Sequence, residues 1–317
     1  MDSSMFIDRL IMLFLAVLID LLFGEPPDRL HPTVWMGGVI SFLKDKIRDK
    51  NARVERINGA LMALSVIILF SLPVYFMLFL VRVHLGQIAH IVMGALLLKP
   101  TFAIKYMKQR TLPIAESIEM GNIERARRLL PFIVRRDPRE LDSQHIISAT
   151  VESTAESTVD GVTSTFFYFA LFGVPGAVAF RAINTLDSMV GYKDSKHINI
   201  GWFSAKLDSL TNYVPARLTA PLMVLAAWVL HENWRSAWRT LWKDKNKTES
   251  MNAGWPMSAM AGALSVQLEK PGSYVLGEKK DALTPNHVHR ALHIMDLTVL
   301  LFGLLVVIPL QILIMVL

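Results

Sequence analysis

The sequence of 317 residues contains no cysteine. Disulfides, thiolate zinc sites, iron–sulfur clusters and cysteine nucleophiles are therefore excluded, while the redox compartment stays open. Charge is scarce too. Asp, Glu, Lys and Arg make up 19% of the chain, against about a quarter in ordinary globular domains. The familiar chemical signatures are missing: there is no Walker A sequence, no GxGxxG, no HExxH and no GxSxG. Any nucleotide chemistry must therefore use a different scaffold. No fixed-period repeat or low-complexity linker interrupts the chain.

What is abundant is apolar surface, 52% of residues with a mean hydropathy of +0.38, and it comes in blocks. Residues 57–81 and 297–317 carry no charge. At about 1.5 Å per residue, both exceed a hydrocarbon layer of about 30 Å. Residues 6–23 hold Asp8, Arg9 and Asp20 toward their ends and read as a retained anchor, because Asp2 and Asp8 spoil the basic start of a secretory signal. Residues 83–98, interrupted by His84, Gln87 and His90, cross or return to the interface. Residues 162–183 are broken at 173–176 by Gly-Val-Pro-Gly, which predicts two half-helices or a re-entrant pair. Residues 214–230 form the last, short block. Segment 99–161 reads as polar and helical, with amphipathic spacing over 115–130 and a turn at Asp137-Pro138.

The prediction is an all-α, polytopic integral membrane bundle in the cell membrane. Residues 1–317 would form one membrane-embedded domain with broken or re-entrant helices and a helical cytoplasmic portion. The net charge of +6 fits this picture. Lys and Arg crowd into 24–56, 99–161 and 231–296 and thin out in 184–213, the bias of cytoplasmic loops. Nucleic acid is not needed to explain the charge, and the bilayer is the first partner.

Five polar stretches border the apolar blocks. In the stretch from His145 to Gly161, Glu152, Glu156 and Asp160 recur at i, i+4 and i+8, on one helix face. Like charges at that spacing repel, no basic residue within the stretch relieves them, and Mg²⁺ would. A solvated acidic face is the bland alternative, but an apolar run follows directly. The second stretch places Arg181, Asn184, Asp187 and Ser188 on one face beyond the Gly-Pro-Gly break, followed by Lys193. Polar groups near membrane depth are costly and mark candidate sites, although an interfacial helix with its charged face in water would look similar. The third holds Lys206, Asp208, Asn212 and Arg217, which suit metal, phosphate or carboxylate ligation; Arg217 also has the position of a headgroup anchor. Glu25 and His31 sit in a Gly- and Pro-rich loop after the first block. Asn252 opens a small-residue stretch suited to close helix packing, and residues 272–277 read as a turn. His289, His293 and Asp296, at i, i+4 and i+7, have a spacing compatible with a metal, but an interfacial anchor is the commoner meaning.

The ordered motifs FGEPPDRLHPTVWMG, ESTAESTVDGVTSTFFY, GVPGAVAFRAINTLDSMVGYKD, AKLDSLTNYVPARLTA and NAGWPMSAMAGALSVQLEKPGSYVLG resemble the CobD/CbiB family of cobalamin-biosynthesis membrane proteins, the adenosylcobinamide-phosphate synthases. The resemblance runs from about Asp20 to Gly277. It implies an ATP-dependent amide ligase using Mg²⁺. The enzyme would join (R)-1-aminopropan-2-ol or its O-phosphate to adenosylcobyric acid, a corrinoid, and work beside other late cobalamin-assembly enzymes. Side-chain chemistry then suggests Glu152, Glu156 and Asp160 for Mg²⁺, and Asp187, Asp208 and Lys193 for catalysis. Arg181, Asn184, Lys206, Asn212, Arg217, Glu25, His31 and Asn252 would bind substrate and ATP. Here Ser209 and Lys206 stand where the family often has an acidic residue and an arginine. The competing expectation is a membrane protein that binds or transports a corrinoid or anionic small molecule without ligating it, since broken helices with charged mouths are a transporter device.

Overall fold

The computed structural model describes residues 3–316; Met1 and Asp2, and Leu317 at the end of the expected last span, lie outside the described residues. The chain is almost entirely helical. In order it forms α1 (Ser3–Phe23), α2 (Pro32–Lys46), α3 (Ala52–Leu98), α4 (Ile104–Glu119), α5 (Ile123–Leu129), α6 (Ser143–Thr158) and α7 (Ser164–Val190). Then follow α8 (Trp202–Thr211), α9 (Tyr213–Val229), α10 (Trp234–Asp244), α11 (Gly254–Leu264), a short hairpin of β1 (Gln267–Lys270) and β2 (Tyr274–Gly277), α12 (Pro285–Phe302) and α13 (Ile308–Val316). The stretches Ala52–Glu119, Ser143–Val190 and Pro285–Val316 are long and apolar enough to cross a membrane, so the chain is a multi-pass membrane protein. Its outer surface agrees. Ile57, Leu61, Ile68, Leu69, Leu72, Phe76, Phe79 and Leu80 of α3 are all exposed, a contiguous apolar face that water would not tolerate and lipid does.

Two compact units are present. The first comprises the described residues of Met1–Ala103, Ser164–Thr211 and Val307–Leu317; the second comprises Ile104–Thr163 and Asn212–Val306. In the first unit, α3 packs against α1, α7 and α8, and α7 also against α2 and α13. Two of its helices double back. His90 Nδ1 lies 3.1 Å from the Leu78 carbonyl, and the rings of Tyr168 and Phe180 stack 5.4 Å apart at 7°. Each pair is 12 positions apart, which a straight helix would separate by about 18 Å. The reversals fall at Gly86 (φ 82°) and Gly173 (φ 70°), in backbone conformations that favour glycine. The second is the break that Gly-Val-Pro-Gly predicts. There a Cβ on Gly176 would stand 2.6 Å from the Tyr168 carbonyl oxygen, so the two halves of α7 touch through a glycine.

Charges inside these helices secure the bends. Buried Asp8 accepts hydrogen bonds from Arg82 at 2.9 Å and Gln87 at 2.6 Å, on either side of Gly86. Arg9 donates to the Ala170 carbonyl at 3.3 Å, near Gly173. A helix break frees carbonyl groups that lipid cannot satisfy, and side chains supply the missing donors.

In the second unit α11, buried along its whole length, packs against α6, α9, α10, α12 and the hairpin. Its small residues allow the approach: a Cβ on Gly262 would lie 2.6 Å from the Ala237 Cα. The amphipathic stretch 115–130 is not continuous, because Gly121 (φ 70°) separates α4 from α5. Ile114, Ala126, Leu130, Leu141, Ile146 and Ala149 form a core among α4, α5 and α6. The expected turn at 272–277 is mostly strand: β2 pairs antiparallel with β1, Gln267 opposite Gly277. Only residues 271–273 turn, with Gly272 at φ 73°.

Candidate functional site

The first unit holds a buried ionic cluster at the mouths of its helices. Lys99 follows the apolar end of α3 and starts a 3₁₀ turn, Lys99–Thr101. Its ammonium lies 3.1 Å from Asp20, at the end of α1, and 2.8 Å from Glu25. Lys99 and Asp20 are both buried. His31 caps α2, its Nδ1 accepting from the Thr33 amide at 3.2 Å. That assigns the proton to Nε2, which donates to Glu25 Oε2 at 2.9 Å. Burial alone would raise the Glu25 carboxyl; the hydrogen bonds from His31 and Lys99 outweigh it and hold the group below its usual range. Glu25 Oε1 is buried with no hydrogen-bond partner among the described residues, an acceptor open to a ligand.

A second polar chain starts from the same turn. The Thr101 carbonyl accepts from Arg181 Nε at 2.7 Å and from the Thr165 hydroxyl at 2.9 Å. Arg181 Nη1 donates to Asn184 Oδ1 at 3.1 Å, and Asn184 Nδ2 reaches Asp208 Oδ1 at 3.4 Å. Arg181, Asn184 and Asp208, scattered over α7 and α8, are thus one relay. Asp187 lies one turn beyond Asn184, its carboxylate against Gly191, where a Cβ would come within 2.0 Å of Oδ1. Lys193 and Lys206 are exposed.

The second unit places Glu152 in a different role from its neighbours. Its Oε1 accepts from the Ser148 hydroxyl at 2.6 Å, and its Oε2 from Arg136 and from the Tyr274 phenol, each at 2.6 Å. Burial, then the neighbouring Glu152 carboxylate, pushes the Tyr274 phenol well above its ordinary value. Glu156 is exposed, and Asp160 falls on a π-helical turn, Val159–Thr163. Among the described residues no group of three or more Asp, Glu and His is placed to hold a metal ion. Glu152, with both oxygens engaged, does not fit a ligand role. The same holds for the His289, His293 and Asp296 set, in which Asp296 pairs with Lys108 at 2.6 Å.

Elsewhere in this unit, Arg217 donates to Asn252 Oδ1 at 3.1 Å, its guanidinium over the rings of Tyr213 at 3.3 Å and Trp255 at 4.8 Å. Asn212 is buried at the start of α9. A polar cavity of about 300 Å³ opens between the start of α6 and the hairpin, lined by Asp142, His145, Ser148, Glu269, Lys279 and Asp281 among others. Lys99, Arg136 and Tyr274 are contributors that pattern reading misses. A lysine after an apolar run looks like a headgroup anchor, and the other two signal nothing until the chain folds.

These features define a polytopic helical membrane protein with ionic and polar clusters buried at its helix ends. The family model described as CobD/Cbib protein matches residues 13–295. The probable cobalamin biosynthesis protein CobD of Methanothermobacter thermautotrophicus is 43% identical over 302 residues, covering 94% of this chain and 98% of that protein. The cobalamin biosynthesis protein CobD of Dehalococcoides mccartyi is 38% identical over 279 residues, 88% of this chain and 90% of that one. The probable cobalamin biosynthesis protein CobD of Thermoplasma acidophilum is 36% identical over 301 residues, 95% and 97%. No solved structure matches. The chain belongs to the CobD/Cbib family of cobalamin-biosynthesis proteins.

Proposed function

We propose that this protein forms the amide bond between adenosylcobyric acid and (R)-1-aminopropan-2-ol or its O-phosphate, with ATP hydrolysed to ADP and phosphate. The observation that carries the reading, beyond family membership, is the polar cluster of the first unit. Burying Lys99 and Asp20 at the ends of apolar helices, with the half-buried Arg181–Asn184–Asp208 relay in the same unit, is costly, and charges kept at that cost serve chemistry by default.

In the proposed reaction the propionate carboxylate of the corrinoid takes the γ-phosphoryl group of ATP, releasing ADP. The amine then attacks the acyl carbon, phosphate leaves, and one proton is released. Asp208, oriented by Asn184, or Asp187 would take that proton from the ammonium. Glu25 Oε1 would accept a hydrogen bond from a substrate N–H or O–H. In the first unit Lys193 and Lys206, and in the second Arg217, Asn212 and Asn252, would each hold phosphate or carboxylate oxygens. Mg²⁺ would arrive on the ATP phosphates and neutralise them; Glu156 and Asp160 would meet it, with Glu152 kept as a structural anchor. The cavity beside α6 would take the amine. Its mixture of carboxylates with Lys279 and His145 suits a small molecule bearing an ammonium at one end and a phosphate at the other.

The test uses purified protein in nanodiscs with ATP, Mg²⁺, adenosylcobyric acid and either form of the amine. ADP and the amide should appear together in equal amounts. If the corrinoid binds but neither product forms, the ligase reading falls and a binding or transport role replaces it.

A further inference from the structure

Helix α10 has three faces. At about 100° per residue, Ala237, Thr240, Leu241 and Asp244 share one side, and all four are buried. Trp234, Trp238 and Trp242, at i, i+4 and i+8, share another, with 38%, 46% and 47% of their surfaces exposed. One residue further around lie Arg235, Arg239 and Lys243.

The helix cannot rotate to hide its tryptophans. Its buried face meets Gly262 of α11 at backbone distance, and buried Asp244 accepts from the Gly277 amide at 2.8 Å. At the other end Asn233 caps the helix, accepting from the Ser236 amide at 3.1 Å, while its own amide donates to the Ala263 carbonyl at 3.1 Å. Just before it, Glu232 is bound by Arg290 of α12, with Nε at 2.8 Å. The three indoles therefore form a fixed, outward ridge. Trp238 and Trp242 meet edge to face at 5.6 Å, and cations sit over the ring faces: Arg235 over Trp234 at 5.0 Å and Lys245 over Trp242 at 3.7 Å.

We propose that α10 is an interfacial helix seated in the headgroup layer of the bilayer, where its basic face binds anionic phospholipids. Indole rings, apolar in body with one N–H donor, favour the boundary between acyl chains and headgroups. An amphipathic helix with tryptophan on one side and Arg or Lys on the next is built to lie in that plane. The preceding helix, α9, is apolar and 17 residues long, with Trp228 exposed near its end. A tryptophan thus stands on each side of the turn into α10. The sign of the charge selects the lipid. Lys243 has Glu278 at 3.3 Å, but Arg235 and Arg239 have no carboxylate within ion-pair distance among the described residues, and no acidic side chain occupies either exposed face.

The absence of native cysteine makes the test direct. Trp238→Cys and Ser273→Cys, the second at the tip of the hairpin, are each spin-labelled in the full chain in nanodiscs. The label at 238 should collide more with oxygen and less with a water-soluble nickel chelate than the label at 273. Equal access of the chelate to both positions would overturn the interfacial placement. In nanodiscs of mixed phosphatidylcholine and phosphatidylglycerol, the lipid retained by wild-type protein on detergent extraction should be enriched several-fold in phosphatidylglycerol. Arg235→Glu/Arg239→Glu should lose that enrichment at an unchanged unfolding temperature. Enrichment that persists in the double variant overturns the headgroup assignment, and protection of position 238 only when another protein is added assigns the ridge to a protein partner instead.

Discussion

The phenol of Tyr274 donates to Oε2 of Glu152 at 2.6 Å, joining residues 122 positions apart. With Arg136 on the same oxygen and Ser148 on the other, the contact ties the hairpin to α6. It also accounts for the buried acidic residue that opens the predicted Mg²⁺ stripe. Replacing Tyr274 with Phe should cost about 1.5–3 kcal/mol, the worth of a hydrogen bond to a charged group, and lower the unfolding midpoint in detergent. The phenol is raised in the folded protein. Its contribution is therefore complete below the ordinary tyrosine value of about 10 and declines as pH rises beyond it. Wild type should lose stability in that alkaline range, and Tyr274→Phe should lose less.

The two acidic residues one turn apart on α6 should separate cleanly. Glu152→Gln leaves Arg136 facing a neutral amide and should destabilise the fold by about 3 kcal/mol, with the Mg²⁺ requirement of any surviving activity unchanged. Glu156→Gln should leave the unfolding midpoint in place and raise the Mg²⁺ concentration for half-maximal turnover. Wild-type Mg²⁺ dependence in Glu156→Gln would remove the metal assignment.

Lys99 neutralises two carboxylates at once. Lys99→Met strands them, and breaking such a buried pair costs about 3–5 kcal/mol. Combining it with Asp20→Asn and Glu25→Gln should recover part of the lost thermal stability. A double-mutant analysis that shows no coupling would deny the network.

Acid should act through the same cluster. The Glu25 carboxyl is depressed below 4.5 in the folded state. Its contribution is complete above that value and disappears as pH falls through the lower, folded one. Stability measured from neutral to strongly acidic pH should fall more steeply below 4.5 in wild type than in Glu25→Gln.

The relay predicts graded losses of turnover. Asp208→Asn should reduce kcat by about 10²–10⁴, the usual contribution of a proton-transfer group, with corrinoid affinity retained. Asn184→Ala, which removes one of the partners of Asp208, should cost about 10² through misplacement. Equal activity of both variants with wild type would exclude Asp208 from the chemistry.

Several of these elements are legible in the sequence for local reasons. The break at Gly173 follows from Gly-Val-Pro-Gly, since proline removes a helix donor and glycine alone enters the left-handed region cheaply. The crossing stretches follow from length and the absence of charge. The reversal at Gly86 is less visible, because one glycine among apolar residues is weak punctuation. Arg181, Asn184 and Asp187 are flagged by their face of α7, but the register of α8 that brings Asp208 to Asn184 depends on packing. Glu152, Glu156 and Asp160 look equivalent by spacing; only burial, the π turn and the arrival of Arg136 and Tyr274 give them different environments.

Cysteine chemistry was ruled out by composition alone. The membrane followed from the apolar blocks, and the ordered motifs pointed to the cobalamin-biosynthesis family. These properties are local or additive, and they do not depend on which residues meet. Tertiary structure decided which of the scarce charges are buried with partners and which stay exposed. A carboxylate's role depends on its partners and its burial, and folding brings Lys99 to Asp20 and Glu25, and Tyr274 to Glu152, from far along the chain.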